Sequence, residues 1–596
     1  MSGAQEELAA WLQRFDAALQ AGDAGGAASL FGDVCYWRDM VAFTWNIITL
    51  DGREAISSML AATLGSTKPS GWRIDGEPKE VDGTIEAWLT FETAAGPGKS
   101  HVRLRDGLCW TLLTTLKDLK DHPFQEGANR ARGVQHGARK GRQHWDQRRR
   151  KEAEEIGINQ EPYCLIIGGG QGGMALAARL GHLRVPTLIV EKNARAGDSW
   201  RNRYQSLCLH DPVWYDHMPY IPFPEGWPIF TPKEMMGDWL EMYAKVMSLN
   251  YWAGTACTDA SYDADAGRWQ VTVDREGTPH TLKPAHLVFA TGMSGYPQVP
   301  QFSGRDAFAG EQLHTSAYRT GTPFAGRRCV VIGSNTSAHD VCADLWEHGA
   351  DVTMVQRSGS LVVQTDTCLD RVLGALYSEA ALAAGIDTET ADYTSTTWPH
   401  RELERRQVEN CAVMRERDAD LHARLEKAGF ILDFGPDNTG LVMKSFREGG
   451  GFYINVGASE LICNGDIKLK SGVEIEALDE TGVVMADGTH LEADVVIYAT
   501  GYGSMNRFVA DIVGQETADR VGKCWGLGAG TRKDPGPWEG ELRNMWKPTQ
   551  QDGLWFQGGN LMQSRHFSRF LALQIKARME GLPTPVYGRQ PSHHRV

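Results

Sequence analysis

Apolar and polar positions fall into one device used twice along the chain. A wholly apolar run, Tyr163-Cys164-Leu165-Ile166-Ile167, meets Gly168-Gly169-Gly170-Gln171-Gly172-Gly173. Leu176, Leu180 and Leu183 then recur at helical spacing, and a second apolar run, Thr187-Leu188-Ile189-Val190, ends on Glu191. Runs without alternation predict strands covered on both faces, so the pattern reads strand, turn, helix, strand in a parallel sheet. Cys329-Val330-Val331-Ile332 repeats it through Gly333-Ser334-Asn335-Thr336-Ser337-Ala338-His339-Asp340, a helix, and Val352-Thr353-Met354-Val355-Gln356-Arg357.

The segment before this pair is built differently. Leu8, Leu12, Phe15 and Leu19 share one face of a helix that Gly22 stops, and strands follow at Glu86–Phe91 and Leu108–Leu113. Helices first and strands later predict a small α+β module over 1–122. Asp33, Arg38 and Asp39 either line a pocket there or serve as cap and salt-bridge residues of a docking or dimerising module. Residues 123–161 form a basic linker. Between Arg130 and Lys151 it carries nine Lys or Arg against one acid, Asp146, and Arg150 is spaced to pair with Glu154 on a solvated helix ahead of Gly157.

Two apolar runs end in the same small-residue turn, Ala290-Thr291-Gly292 and Ala499-Thr500-Gly501. With the two strand–turn–helix units they predict an α/β protein of two nested Rossmann-like domains: 162–323 for the first, 324–493 inserted into it, and 494–596 returning to the first and ending in a helix. After Gly197-Asp198-Ser199-Trp200-Arg201-Asn202-Arg203-Tyr204, the rings of Trp214, Tyr215, Tyr220, Phe223, Trp227 and Phe230 alternate with prolines. Such a stiffened loop offers a flat wall to a planar ring or fills a core.

Composition narrows the chemistry. A net charge of −14 over 596 residues argues against nucleic acid, whose phosphates require basic excess. No apolar run approaches bilayer length and the N-terminus lacks a signal-like pattern, so a cytoplasmic enzyme is expected. The eleven cysteines include no C-x-x-C pair, and no metal-ligand spacing appears.

The glycine turns carry the binding chemistry. Gly168, Gly170 and Gly173 occupy G-x-G-x-x-G positions: a tight turn, close approach to a pyrophosphate, and helix-on-strand packing. Glu191 falls where a carboxylate accepts from ribose hydroxyls.

Phe308-Ala309-Gly310-Glu311-Gln312-Leu313-His314-Thr315-Ser316-Ala317-Tyr318 spells F-x-G-x-x-x-H-x-x-x-Y. With G-x-x-W-x-x-R-Y from Gly197 to Tyr204 and both Ala-Thr-Gly turns, the chain resembles the class B flavin-containing monooxygenases, the plant YUCCA enzymes included, over 163–581. Its first 122 residues resemble the NTF2-like (SnoaL-like) fold. The resemblance implies FAD on Gly168, Gly170, Gly173, Glu191, Ser199, Trp200, His210 and Asp211. It implies NADPH on Gly333, Asn335, Ser337, Ala338, Asp340 and Arg357. Gln171, Gly172, Arg203, Gly292 and Gly501 complete the cofactor-binding set. His210, Asp211, His314 and Tyr318 are the candidate catalytic residues, the last two as readily structural.

The implied reaction inserts one oxygen atom of O2 into a small amine, sulfide or 2-oxo acid through a C4a-(hydro)peroxyflavin. A Baeyer–Villiger oxygenase is the rival, although its H-x-x-x-W ending is absent at Tyr318. A flavin oxidase or disulfide reductase stands further off, and an NADPH-sensing flavoprotein is the reading outside enzymes. Two departures stand out: Asn335 replaces the middle glycine of the second turn, where left-handed backbone is expected, and His210 stands where relatives carry Asn. The substrate and O2 are the expected partners, with a homodimer left open.

Overall fold

The computed structural model describes residues 3–134 and 136–592. Both apolar devices form the parallel units their patterning requires. The first sheet runs Leu554–Phe556, His286–Phe289, Cys164–Ile167, Thr187–Val190, Tyr251–Trp252, with every neighbouring pair parallel. The second runs Glu311–His314, Val495–Tyr498, Cys329–Ile332, Asp351–Gln356, Lys468–Ser471, again all parallel. Each is accompanied by a three-stranded antiparallel meander, Thr255–Leu282 beside the first and Ile475–Glu492 beside the second. The same architecture is thus built twice, an α/β fold with two dinucleotide-type sheets.

The expected limits between the sheets need correction. Val495–Tyr498 does not return to the first sheet: it pairs with Cys329–Ile332 on one side and Glu311–His314 on the other. Divisions at 323/324 and 493/494 therefore cut through the second sheet. An apolar run ending in Ala-Thr-Gly can lie beside either glycine turn, and only the pairing shows that each turn lies beside its own. The chain rejoins the first sheet at Leu554–Phe556 and closes with the helix Leu561–Met579, packed on the helix Gln171–His182.

Seven helices between Thr365 and Glu448, one of them 18 residues long, were not foreseen; they lie between the paired strands Leu361–Gln364 and Phe452–Asn455. Their polar composition and irregular spacing hide the period. Thr388–Ser395 and His400–Arg417 matter most here, because both reach other parts of the molecule.

The N-terminal segment forms a six-stranded sheet with the helices Gly3–Gln20, Ala24–Ser29 and Gly52–Thr67. Its interior is filled by its own rings: Trp11 stacks on Phe15 at 4.8 Å between centroids, Trp72 on Phe91 at 4.3 Å, and Phe31 on Trp37 at 5.8 Å. The cap and salt-bridge reading therefore describes its charged residues. Asp39 is buried and accepts from Thr114, Thr44 and two backbone N–H groups, and burial pushes it up to about 6. Asp33 pairs at the surface with Arg53. Arg38 reaches across to the last part of the chain and binds Glu541 with two bonds of 2.6 and 2.7 Å, both partners buried. In the linker, Arg150 pairs with Asp146 rather than Glu154, and the helix Trp145–Glu155 buries no residue. Arg149 ties it down through Asn250 and the Leu249 carbonyl.

Candidate active site

Gly168 sits at φ +108°, and a Cβ there would lie 2.4 Å from the Ala290 carbonyl oxygen. Gly173 is equally constrained, because its Cβ would lie 2.1 Å from the Gly168 oxygen. Gly170 is not: its φ is −78°, and a Cβ would meet only Ser199 Oγ, at 3.5 Å. The first and third glycines are demanded by the protein itself, and the middle one is not. Gly170 caps the helix Gln171–His182 without a side-chain acceptor, so the first N–H groups face outward unpaired.

The lining of this cradle fits FAD. The Ser199, Thr291 and Ser564 hydroxyls and Gln557 Oε1 are buried and lack hydrogen-bond partners. Such groups cost free energy unless a ligand completes them. Glu191, buried at the end of Thr187–Val190, accepts from Gly169 N–H at 2.7 Å and from Asn193, which fixes its carboxylate beside the turn. Gln171 accepts from the Trp200 indole at 3.2 Å, and Gly292 turns at φ +82° after the adjacent strand. Gly172 brings the last helix in: a Cβ there would lie 3.4 Å from Gly558 Cα and 3.5 Å from Ser564 Oγ. The start of Leu561–Met579, capped by Asn560, therefore stands beside the glycine turn.

The second turn copies the first. Gly333 has φ +132°, and its Cβ would meet the Ala499 oxygen at 2.4 Å. Asn335 stands at φ −99° in extended backbone, so the expected left-handed strain is absent and Asn is accommodated. Its side chain does not cap the helix Thr336–Glu347 but accepts from Ser360 Oγ at 2.8 Å, which leaves the helix N-terminus open to phosphate. Ser337 is half-buried in the first turn and Ala338 is buried. Arg357 follows the strand Asp351–Gln356, exposed and without an ion pair among the described residues. These groups fit a 2′-phosphorylated dinucleotide.

The remaining candidates divide. Asp340 does not face open space: it accepts from the Tyr204 hydroxyl at 2.7 Å and lies 3.7 Å from His210 Nε2, so it binds the loop after the first turn to the second sheet's helix. Burial opposes protonation of His210, but the hydrogen bond and charge of Asp340 outweigh it and raise its pKa. Asp211 is half-buried, and burial pushes it up to about 6 against the pull of His210. Arg203 donates to Tyr502 at 3.2 Å and to the Ser294 carbonyl.

His314 Nε2 lies 3.1 Å from the Gly501 carbonyl, and its Nδ1 accepts from Ser316 N–H, an arrangement that places the ring proton on Nε2. Tyr318 is fully buried, 2.5 Å from Asp344, which also accepts from Gly321 N–H. Both are engaged by partners within the second unit, Gly501 after its strand Val495–Tyr498 and Asp344 on its helix Thr336–Glu347.

Sequence reasoning placed Tyr215 in a flat wall but missed the part of that wall supplied by the helical insert. Tyr215 packs edge-on against Tyr377 of the helical insert at 4.7 Å and accepts from Asn560 Nδ2 at 2.9 Å. Met562, Leu373 and Ala391 join that cluster. The Asn560-x-x-Gln563 capping box is the signal that could have located the helix start. A cavity of about 470 Å³ between Tyr163, His286, Trp555 and Arg578 opens at the opposite edge of the first sheet, where the strands begin.

Two open helix N-termini at two Rossmann-like turns define a flavoprotein oxidoreductase that takes two dinucleotides. Residues 165–375 match the family described as pyridine nucleotide-disulphide oxidoreductase. All eleven cysteines are free, so no dithiol accompanies the fold. The chain is 30% identical to indole-3-pyruvate monooxygenase YUCCA1 of Oryza sativa subsp. japonica over 357 residues, 59% of this chain and 80% of that protein. It is 32% identical to YUCCA8 of Oryza sativa subsp. indica over 57% of this chain and 76% of the relative. Among solved structures, cyclohexanone monooxygenase with bound epsilon-caprolactone shares the fold, with a TM-score of 0.51 and 19% identity over 71% of this chain and 90% of that one. The chain belongs to the YUCCA-type flavin-containing monooxygenases, and is a flavin-dependent monooxygenase using FAD and NADP(H).

Proposed function

We propose that the enzyme oxygenates an amine or a sulfide, and not a 2-oxo acid, with the first glycine turn holding FAD and the second NADPH. Bound FAD, once reduced, supplies the oxygen chemistry. The protein's share is to position the two dinucleotides, keep water out and hold charge at the substrate wall.

One observation favours this substrate class. Arg565, the cation against the Tyr215 wall, is already spent: two donors go to Asp392 at 2.8 and 2.7 Å, and a third serves the Tyr215 and His217 carbonyls. Burial depresses His217 to about 4, so it adds no charge at neutral pH. Asp211 and buried Asp216 lie on the same loop. His210, the cation candidate on that loop, is paired with Asp340, so among the described residues of this wall a carboxylate substrate would meet acids and no unpaired cation, whereas an amine or sulfide needs none. The rice relatives are named for a 2-oxo acid, and the reading departs from them there.

The N-terminal module is read as an NTF2-like brace over 1–122, joined by the linker 123–161. Its interior is occupied by its own rings, which supports docking over ligand binding. No helix among the described residues is long and apolar enough to cross a membrane.

A product-identified screen of amines, sulfides, ketones and 2-oxo acids tests the substrate class. N- or S-oxides as the preferred products are expected. A higher kcat/KM for a 2-oxo acid, with loss of CO2, overturns it.

A further inference from the structure

Three parts of the chain far apart in sequence meet at one guanidinium. Arg565 projects from the second turn of Leu561–Met579 and is buried. Its Nε and Nη2 take both oxygens of Asp392 on the insert helix Thr388–Ser395, in the paired geometry that guanidinium and carboxylate share. Its Nη1 takes the carbonyls of Tyr215 and His217 on the aromatic loop, the former at 2.9 Å. Asp392 also accepts from the Tyr377 hydroxyl at 3.0 Å, and Tyr377 is the ring packed on Tyr215.

The insert helix is gripped from its other side by the N-terminal sheet. Trp88 meets Tyr393 at 6.4 Å, and Lys99 stands 5.1 Å over the same ring. Arg38 donates to the Thr396 carbonyl at 2.8 Å. Arg103 donates to the Thr397 carbonyl and hydroxyl and lies 3.5 Å over Trp398. The N-terminal module thus touches the turn that follows Asp392, while Arg565 holds Asp392 itself.

We propose that Arg565 is a positioning residue for the oxygenation chamber. It keeps the aromatic wall, the insert and the start of the last helix closed over the glycine turn, and the N-terminal module serves as the outer clamp on the same helix. Arg565 touches neither dinucleotide turn, so its effect passes through Tyr215, Tyr377 and Asn560. The geometry suits Arg alone: four acceptors, two on Asp392 and two on the aromatic loop, cannot be served by the three donors of a lysine point charge. A chamber that loosens admits water to the reduced site. NADPH is then oxidised to no purpose: NADPH, H⁺ and O2 give NADP⁺ and H2O2, the two electrons of the coenzyme passing to oxygen.

The test uses the FAD-loaded full chain with NADPH in air and no added substrate, so it does not depend on the substrate class proposed above. Arg565→Lys and the milder Asp392→Asn are compared with the wild type. Peroxide-releasing NADPH oxidation is expected to rise about tenfold in both, on the premise that dryness suppresses the side reaction. FAD content and the anaerobic rate of reduction by NADPH should stay within about twofold, since neither dinucleotide contact is touched. Hydrogen exchange should speed up in 209–217 and 388–398 but not in Gln171–His182. A second pair, Arg38→Met and Arg103→Met, should raise peroxide release and loosen 388–398 without loosening the C-terminal helix. Faster exchange at 388–398 with unchanged peroxide release would make Arg565 merely structural and overturn the proposal. Loss of FAD from Asp392→Asn would overturn it as well, since the hub would then serve the cofactor.

Discussion

Gly168 and Ala290 are in such close contact that a Cβ on the glycine would lie 2.4 Å from the alanine's carbonyl oxygen, and Gly333 repeats this with Ala499 at the same distance. Each Ala-Thr-Gly turn is therefore the seat of its own glycine turn, a neighbouring strand end that forces the absence of a side chain. The relation explains why the two motifs occur in pairs along the chain. It also shows why Val495–Tyr498 must lie in the second sheet.

The glycines of the first turn should fail in different ways. Gly168→Ala places a side chain at φ +108° against backbone, and little folded protein is expected. Gly170→Val keeps extended backbone and its Cβ would meet nothing nearer than Ser199 Oγ at 3.5 Å, so the protein should fold but purify colourless. Flavin absorbance and a thermal melt separate the two. A yellow Gly170→Val enzyme with normal FAD content would sink the assignment of this turn.

What could be read in advance follows from how local the cause is. The glycine turns, Glu191 and the helix face of Leu8, Leu12 and Phe15 declare themselves within a few residues. Pairing between strands does not, which is why the boundaries near 323 and 493 missed. The insert helices carry little apolar periodicity because they bury polar anchors such as Asp392, His400 and Glu402. Arg565 and Arg38 look like ordinary helix and strand arginines until Asp392 and Glu541, 173 and 503 residues away, come into contact with them.

Tyr318 carries the family motif but is a tether. Its hydroxyl serves Asp344 in a fully buried setting, and Asp344 keeps Gly321 N–H at 2.7 Å as a second partner. Tyr318→Phe should therefore lower stability by about 1.5–3 kcal/mol, the worth of a hydrogen bond to a charged group, and leave turnover and the KM for NADPH unchanged. Denaturant unfolding beside steady-state kinetics decides. A tenfold fall in kcat with unchanged stability would return Tyr318 to the catalytic set.

The Arg38–Glu541 contact should make N-terminal docking acid-sensitive. Burial alone would raise Glu541, but the charge of Arg38, then that of His400 and the bonds from Arg38 and Thr49, bring it down from 4.5 to about 2. A carboxylate with depressed pKa contributes stability that is complete above its unfolded value of 4.5 and is lost as pH falls toward about 2. The loss across that window is about 3 kcal/mol. Asp39, raised to about 6, acts with the opposite sign but is common to wild type and variant and cancels in the comparison. In Arg38→Met the difference in stability between neutral pH and pH about 3 should shrink, because Glu541 loses the partner that depresses it. Parallel pH profiles for the two proteins would refute the coupling.

Coenzyme choice should rest on Arg357. The two units end on opposite charges: buried Glu191 is fixed by Gly169 and Asn193, where a 2′-phosphate would be repelled, and Arg357 is exposed beyond Asp351–Gln356. Gln356 anchors the strand end from within, donating to the Ile431 carbonyl at 2.9 Å and accepting its N–H at 2.8 Å, so the backbone presenting Arg357 is held. No ion pair among the described residues occupies its guanidinium, which leaves the fork free for phosphate. Removing such a charge-assisted contact should weaken NADPH binding about ten- to a hundredfold in Arg357→Ala while NADH is little changed. Titration with adenosine 2′,5′-bisphosphate isolates the phosphate from the rest of the coenzyme, and its affinity should fall by the same factor. Equal losses for both coenzymes would assign Arg357 to the fold instead, and no loss for either would move the 2′-phosphate to another residue.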